Sequence, residues 1–226
     1  MSRLVRFSVT ERVLHWTFAL SYLAVLGSGL PLMFEGLRGL IRDYHPVIGL
    51  RLHVACGVLW MVATLAVVAL GNRARLRVTL RELTRLARAD AAWLRRFPRW
   101  LVAGRAERAR IDAAVGRFNA GQKLNLLFTL ATSGLLLMSG FALMPVGDGL
   151  MAAHLTGPAS VGVWREAHRW LTVLVLAPIA GHVYLAALHP ATRPALGGML
   201  DGGVDAAWAA AHHPRWRPER RDGEAA

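Results

Sequence analysis

The chain holds a single cysteine, Cys56, among its 226 residues. One cysteine cannot close an internal disulfide or supply the thiolates of an iron–sulfur cluster. It also rules out the C-x-x-C-H attachment of c-type haem. Acidic residues are scarce as well, 14 Asp and Glu against 27 Lys and Arg, for a formal net charge of +13. An excess of that size suits nucleic acid in a soluble protein. Here the same chain carries four long apolar runs, which a soluble domain could not hide, so nucleic acid is excluded as a partner. The sequence shows no internal repeat, low-complexity segment or glycine-rich phosphate loop, and no nucleophile–base pair that would make a catalytic residue. A basic start precedes the first apolar run, but Glu11 interrupts it and no A-x-A-like site follows, so a cleaved signal peptide is not expected.

What is present is apolar: 54% of residues are hydrophobic and the mean hydropathy is +0.36. The runs predict an all-α integral membrane four-helix bundle, formed as one domain over residues 1–226. Its spans cover about 15–34, 53–70, 124–144 and 166–188, with membrane lipid around them. Between the second and third spans, the loop 71–122 carries thirteen arginines, from Arg73 to Arg117. Within it, Val78 to Phe97 places leucine and alanine at helical spacing among arginines. This predicts an amphipathic helix on the membrane surface, ended by Pro98. The arginine excess marks the cytoplasmic side. Both termini, the loop 71–122 and the polar tail 189–226 are then expected in the cytoplasm, with 35–52 and 146–163 on the other side. Trp93, Trp100, Trp164 and Trp170 read as interface anchors.

The stretch from Trp164 to Leu188 contains two histidines, His168 and His182, fourteen residues apart. Ionisable side chains at membrane depth are costly and mark function. At 3.6 residues per turn both imidazoles fall on nearly one face, roughly 21 Å apart along the axis. Chain direction then sorts four histidines by depth. His15 opens the first span and His182 lies toward the end of the fourth, both at the cytoplasmic level. His53 opens the second and His168 the fourth, both at the outer level. Two pairs at two depths suit two stacked metal centres, of which haem is the common one, held without a covalent link. A centre with two axial imidazoles has no open position and suits electron transfer. Gly57, four residues after His53, would let a flat macrocycle approach the backbone; His45 stands in the same relation to Gly49 and is the rival ligand. His154, His189, His212 and His213 read as surface or structural. A reading of another class is a non-haem metal-binding transporter whose histidines hold zinc or copper.

Several motifs together resemble the membrane cytochrome b (gamma) subunit of respiratory formate dehydrogenases over nearly the whole length. They are His15-Trp16, the block Phe118-Asn119-Ala120-Gly121-Gln122-Lys123, His182-Val183-Tyr184, and a tail with Gly198-Met199, Trp208-Ala209 and His212-His213-Pro214-Arg215-Trp216. The resemblance implies a bacterial inner-membrane protein with two haems b and a quinone substrate. It implies an iron–sulfur (beta) partner on the outer side and a catalytic molybdenum or tungsten (alpha) subunit beyond it. It also implies a quinone pocket at Asn119, Gly121 and Gln122 beside His182, near the cytoplasmic haem. Neutral amides can donate to a quinone carbonyl without bringing charge, although the same block could be only the cap that starts the third span. The same kind of cytochrome serving a hydrogenase or a sulfur-compound reductase is the alternative. His45-Pro46 resembles the His-Pro after the second-helix ligand of some members. His53 is preferred because a full apolar run follows it, whereas Arg51 lies in the run after His45.

Overall fold

The computed structural model describes residues 2–218; Arg220 and Arg221 of the basic tail lie outside the described residues. The molecule is 75% helical. In chain order the elements begin with β1 (Arg3–Val5), α1 (Val9–Met33), a single turn α2 (Glu35–Arg38) and α3 (Pro46–Leu70). The arginine-rich segment forms α4 (Arg73–Thr84), α5 (Arg88–Val102) and α6 (Arg105–Asp112). There follow α7 (Ala120–Ala142), a short hairpin of β2 (Pro145–Val146) and β3 (Gly149–Leu150), α8 (Met151–Thr156) and α9 (Ser160–Val183). A π-helical turn (Tyr184–Leu188) extends α9, and the tail forms α10 (Leu196–Leu200), β4 (Gly203–Asp205) and α11 (Ala206–His212). Four helices are long and apolar enough to cross a membrane: α1, α3, α7, and α9 with its π turn. Each starts before the span expected from hydropathy, because one charged residue near the end, such as Glu11 or Arg51, does not stop a helix. Ser8, just before α1, and Glu11 in its first turn bond reciprocally, and Pro46 stands in the first turn of α3.

The chain divides into two compact units. The first to be described holds residues 13–71 and 129–180, hence most of the four spans. Their outer faces carry exposed leucine and valine such as Leu59, Leu65 and Leu174, as lipid contact requires. Inside the unit the helices meet through rings and small residues. Phe18 and Tyr22 of α1 pack edge-on against Trp60 of α3 at 5.5 and 5.0 Å. Side chains of α1 and α3, of α3 and α9, and of α7 and α9 meet around His53 and His168.

The other unit joins residues 1–12, 72–128 and 181–226. Its core is Trp93, Trp100, Ile111, Val115 and Ala120. Trp93 and Trp100 are 5% and 2% exposed, so these two are core residues and not the expected interface anchors. Trp170, at 63%, is open to its surroundings. The expected single helix over Val78 to Phe97 is two helices. Lys123 bonds the Arg85 carbonyl (3.0 Å) and the Asp90 carboxylate (2.9 Å), while Asp90 accepts from the Ala87 N–H at 2.7 Å. That clamp holds the break between α4 and α5. Pro98 does not end α5, which runs on to Val102. A proline inside a helix costs about 3 kcal/mol; burial of Trp93 and Trp100, with Phe97 and Leu101 packed against them, offsets it.

Ion pairs tie this unit's segments together. Arg117 meets Glu11 at 2.7 Å and Glu82 at 2.9 Å, and Thr79 bonds Glu11 as well. The N-terminal β1 pairs antiparallel with β4 of the tail. Arg6 is buried among the rings of Phe7, Trp208 and Trp216. The tail is folded onto the unit: His213 donates from Nδ1 to the Gly116 carbonyl at 2.7 Å. Burial, and then the charge of Arg6, push the His213 imidazole down to about 3. The unfolded chain takes up a proton near pH 6.5, which the folded chain refuses. Stability is therefore full above pH 6.5 and falls by about 1.4 kcal/mol per pH unit below it, until His213 titrates. Unfolding of the purified protein at pH 7 and pH 5 should differ by about 2 kcal/mol from this group alone. His213→Gln should flatten that difference, and an unchanged pH dependence in the variant would refute it.

Candidate functional site

His53 lies two turns into α3 and His168 two turns into α9. Their rings stand 6.1 Å apart, centre to centre, and nearly perpendicular at 81°. The Nδ1 of each is engaged. His53 Nδ1 is 3.1 Å from the Val25 carbonyl, which can only accept, so Nδ1 carries the proton. Ser28 Oγ is a second neighbour at 3.3 Å. His168 Nδ1 is 2.8 Å from Ser139 Oγ. Ser139 spends its own proton on the Leu135 carbonyl at 2.8 Å, so its oxygen accepts from His168 Nδ1. In both rings the free lone pair is then on Nε2. A ring separation of 6.1 Å is within reach of two imidazoles that would share one metal ion, at about 2 Å per metal–nitrogen bond.

Glycine makes room at His53, and at His168 a Cβ would only touch the ring. A Cβ at Gly29 would stand 2.7 Å from His53 Cε1, and one at Gly140 would stand 3.5 Å from His168 Cε1. Gly57, the glycine singled out from the sequence, has nothing within 4 Å of such an atom, and Gly49 faces the ring of Tyr44. His45 is exposed and caps α3 by its backbone, without a side-chain bond. Among the described residues no three His, Cys, Asp or Glu side chains come together. Two imidazoles do not complete the shell of a bare zinc or copper ion. They do complete that of a porphyrin iron, whose macrocycle brings four nitrogens of its own, so the pair fits haem.

The other predicted residues fall as follows. His15 lies on α1 with its ring 5.3 Å from Trp16, in the unit that holds most of the spans. His182 is the penultimate residue of α9 and belongs to the other unit. The π turn that follows it is of a type common at functional positions. Asn119 and Gln122 form a reciprocal cap at the start of α7. Asn119 Oδ1 accepts from the Gln122 N–H at 2.9 Å, and Gln122 Oε1 from the Asn119 N–H at 3.0 Å. The cap uses both amide oxygens and leaves the two side-chain NH2 groups as donors. Gly121 lies under the Trp93 ring, 3.5 Å from where a Cβ would be.

Asp112 fixes that ring, and it was not legible as a site residue. Its carboxylate, buried at the end of α6, accepts from Trp93 Nε1 (2.8 Å), Trp100 Nε1 (3.0 Å) and His212 Nδ1 (3.1 Å). The only signal in the sequence is the seven-residue spacing of Trp93 and Trp100, which puts both indoles on one helix face. His189, also buried, stacks on Trp100 at 5.4 Å. These histidines are structural members of this unit.

The family model for prokaryotic cytochrome b561 matches residues 6–202. Relatives of known name match at nearly full length. The cytochrome b556(Fdn) subunit of the nitrate-inducible formate dehydrogenase of Escherichia coli K12 is 24% identical over 229 residues, covering 98% of this chain and 94% of its own. The cytochrome b556(fdo) subunit of formate dehydrogenase from the same organism is 28% identical over 222 residues, covering 96% and 93%. With four helices fit to cross a membrane and a histidine pair fit for a haem, the chain is a membrane cytochrome b and belongs to the prokaryotic cytochrome b561 family.

Proposed function

We propose that this chain is the cytochrome b subunit of a formate dehydrogenase complex in a bacterial inner membrane. It takes electrons from an iron–sulfur partner on the outer side and delivers them to quinone on the cytoplasmic side. The observation that carries the reading is the His53–His168 pair: two imidazoles from α3 and α9 with both Nδ1 protons committed and both Nε2 lone pairs free. The near full-length match to two formate dehydrogenase cytochrome subunits supports the choice of complex.

In this reading His53 and His168 hold an outer-side haem b, and His15 and His182 hold a cytoplasmic-side one. Haem b, when bound, supplies a one-electron ferric–ferrous couple closed to external ligands. The chain does the rest. Hydrogen bonds at Nδ1 keep the outer imidazoles oriented. The NH2 groups of Asn119 and Gln122 donate to a quinone carbonyl, and the Trp93 ring, packed against Gly121 and held by Asp112, walls the pocket. The arginine-rich segment and both termini face the cytoplasm, so protons for quinone come from that side. Formate chemistry belongs to the molybdenum- or tungsten-containing partner.

The purified complex should contain two acid-acetone-extractable haems per cytochrome chain, low-spin in both redox states. A ferrous form that readily binds carbon monoxide would defeat the bis-histidine reading, and zinc without a Soret band would favour a transporter. The co-purifying catalytic subunit separates formate dehydrogenase from hydrogenase or sulfur-compound reductase. A reporter between Ala103 and Gly104 should behave as cytoplasmic and one beside Gly149 as external; the opposite pattern would invert the side of quinone reduction.

A further inference from the structure

A serine–glycine pair lies against each of the two outer imidazoles. On α1, Ser28 Oγ donates to the Ala24 carbonyl at 2.8 Å and touches His53 Nδ1, while Gly29 leaves the space that His53 Cε1 occupies. On α7, Ser139 Oγ donates to the Leu135 carbonyl at 2.8 Å and touches His168 Nδ1, while Gly140 lies beside the ring, where a Cβ would stand in ordinary contact, 3.5 Å from His168 Cε1. Serine and glycine in a membrane helix ordinarily serve close helix packing. A third pair on α7, Ser133-Gly134, fits that description: Ser133 Oγ has no partner and Gly134 faces open space. The first two pairs differ from it by holding an imidazole.

We infer that Ser28-Gly29 and Ser139-Gly140 are cradles that orient the two imidazoles and set how strongly each donates electrons to its iron, with Ser139 the dominant positioning residue. This rests on the assignment of His53 and His168 as axial ligands. A ring nitrogen that donates its proton to an outer partner makes the opposite nitrogen a better ligand and fixes its direction. For His168 the nearer partner is Ser139 at 2.8 Å, with the Leu136 carbonyl as a second acceptor, and the serine hydroxyl is polarised in turn by the Leu135 carbonyl. For His53 the nearer partner is the Val25 carbonyl, and Ser28 is secondary. The two serines therefore carry unequal weight. A more strongly donating imidazole favours ferric iron and lowers the potential, so removal of its partner raises the potential.

Optical redox titration of the purified complex tests this. In Ser139→Ala the outer haem should be easier to reduce, its ferrous-to-ferric ratio at a fixed applied potential rising roughly two- to tenfold, as expected for one hydrogen bond. Ser139→Thr keeps the hydroxyl and should restore the wild-type ratio. Ser28→Ala should shift the ratio less, because the nearer partner of His53, the Val25 carbonyl, is untouched, whereas Ser139 is the near partner of His168; Ser133→Ala should not shift it. Gly29→Ala should lower haem content by displacing the His53 ring. An unchanged ratio in Ser139→Ala, or an equal shift in Ser133→Ala, overturns the inference. If Ser139→Ala assembles no haem, Ser28→Ala decides: a measurable rise supports the cradle, and an unchanged ratio and spectrum overturn it. His168→Ala separates the two levels. Retention of all haem there defeats the ligand assignment itself, whereas loss of haem there with no effect in Ser139→Ala defeats only the role of serine.

Discussion

His168→Ala should leave the chain with one haem instead of two, and His53→Ala should do the same. Each supplies half of the ring pair at 6.1 Å, and each stands on a different helix, so neither can substitute for the other. Loss of a hydrogen-bonded outer partner alone typically costs 10–100-fold in affinity at a metal centre. Loss of the ligand should exceed about 100-fold and appear as a missing haem, not as a shifted band. His45→Ala should keep both haems, since His45 is exposed at the start of α3. The measurement is the haem-to-protein ratio of each purified variant. Should His45→Ala lose a haem and His53→Ala keep both, the second-helix ligand is His45. His15→Ala and His182→Ala carry the same expectation for the cytoplasmic haem, which would show that the two centres are lost independently.

Slowed reoxidation by quinone is the expected result of changing Asn119 and Gln122 together. Alanine is a poor choice here, because both amide oxygens cap α7 and loss of a cap costs about 1 kcal/mol by itself. Asn119→Asp with Gln122→Glu keeps the acceptor oxygens and replaces the two NH2 donors. If those donors bind quinone, each lost bond removes about 0.5–1.5 kcal/mol. The pair should then slow reoxidation roughly five- to 150-fold, with both haems retained and still reduced by the partner subunit. Stopped-flow reoxidation of the reduced complex reads this directly. A wild-type rate in the double variant would mean that the block does no more than start α7 and that quinone binds elsewhere. The same variants tell a quinone effect from a folding effect, because haem content and thermal stability should not move with the rate.

Local properties settled a large part of this protein. Runs of about twenty apolar residues read as spans, and in lipid they must be helical, because lipid offers backbone N–H and carbonyl groups no other partner. Four such helices stand where hydropathy puts them, each beginning a turn or two earlier than its apolar run alone suggests. The scarcity of cysteine limited any haem to non-covalent ligands, and the fourteen-residue spacing in the last span required nothing beyond helix geometry. What depends on residues distant in the chain was out of reach. Lys123 decides where α4 stops and α5 begins, across more than thirty residues. Asp112 turns Trp93 and Trp100 from expected interface anchors into core residues, and their burial carries α5 through Pro98. Ser139 and Gly140 read as packing residues until His168, on another helix, is seen against them. In each case a polar group that leaves water or lipid must find its partner, and only the tertiary structure determines which side chain that partner is.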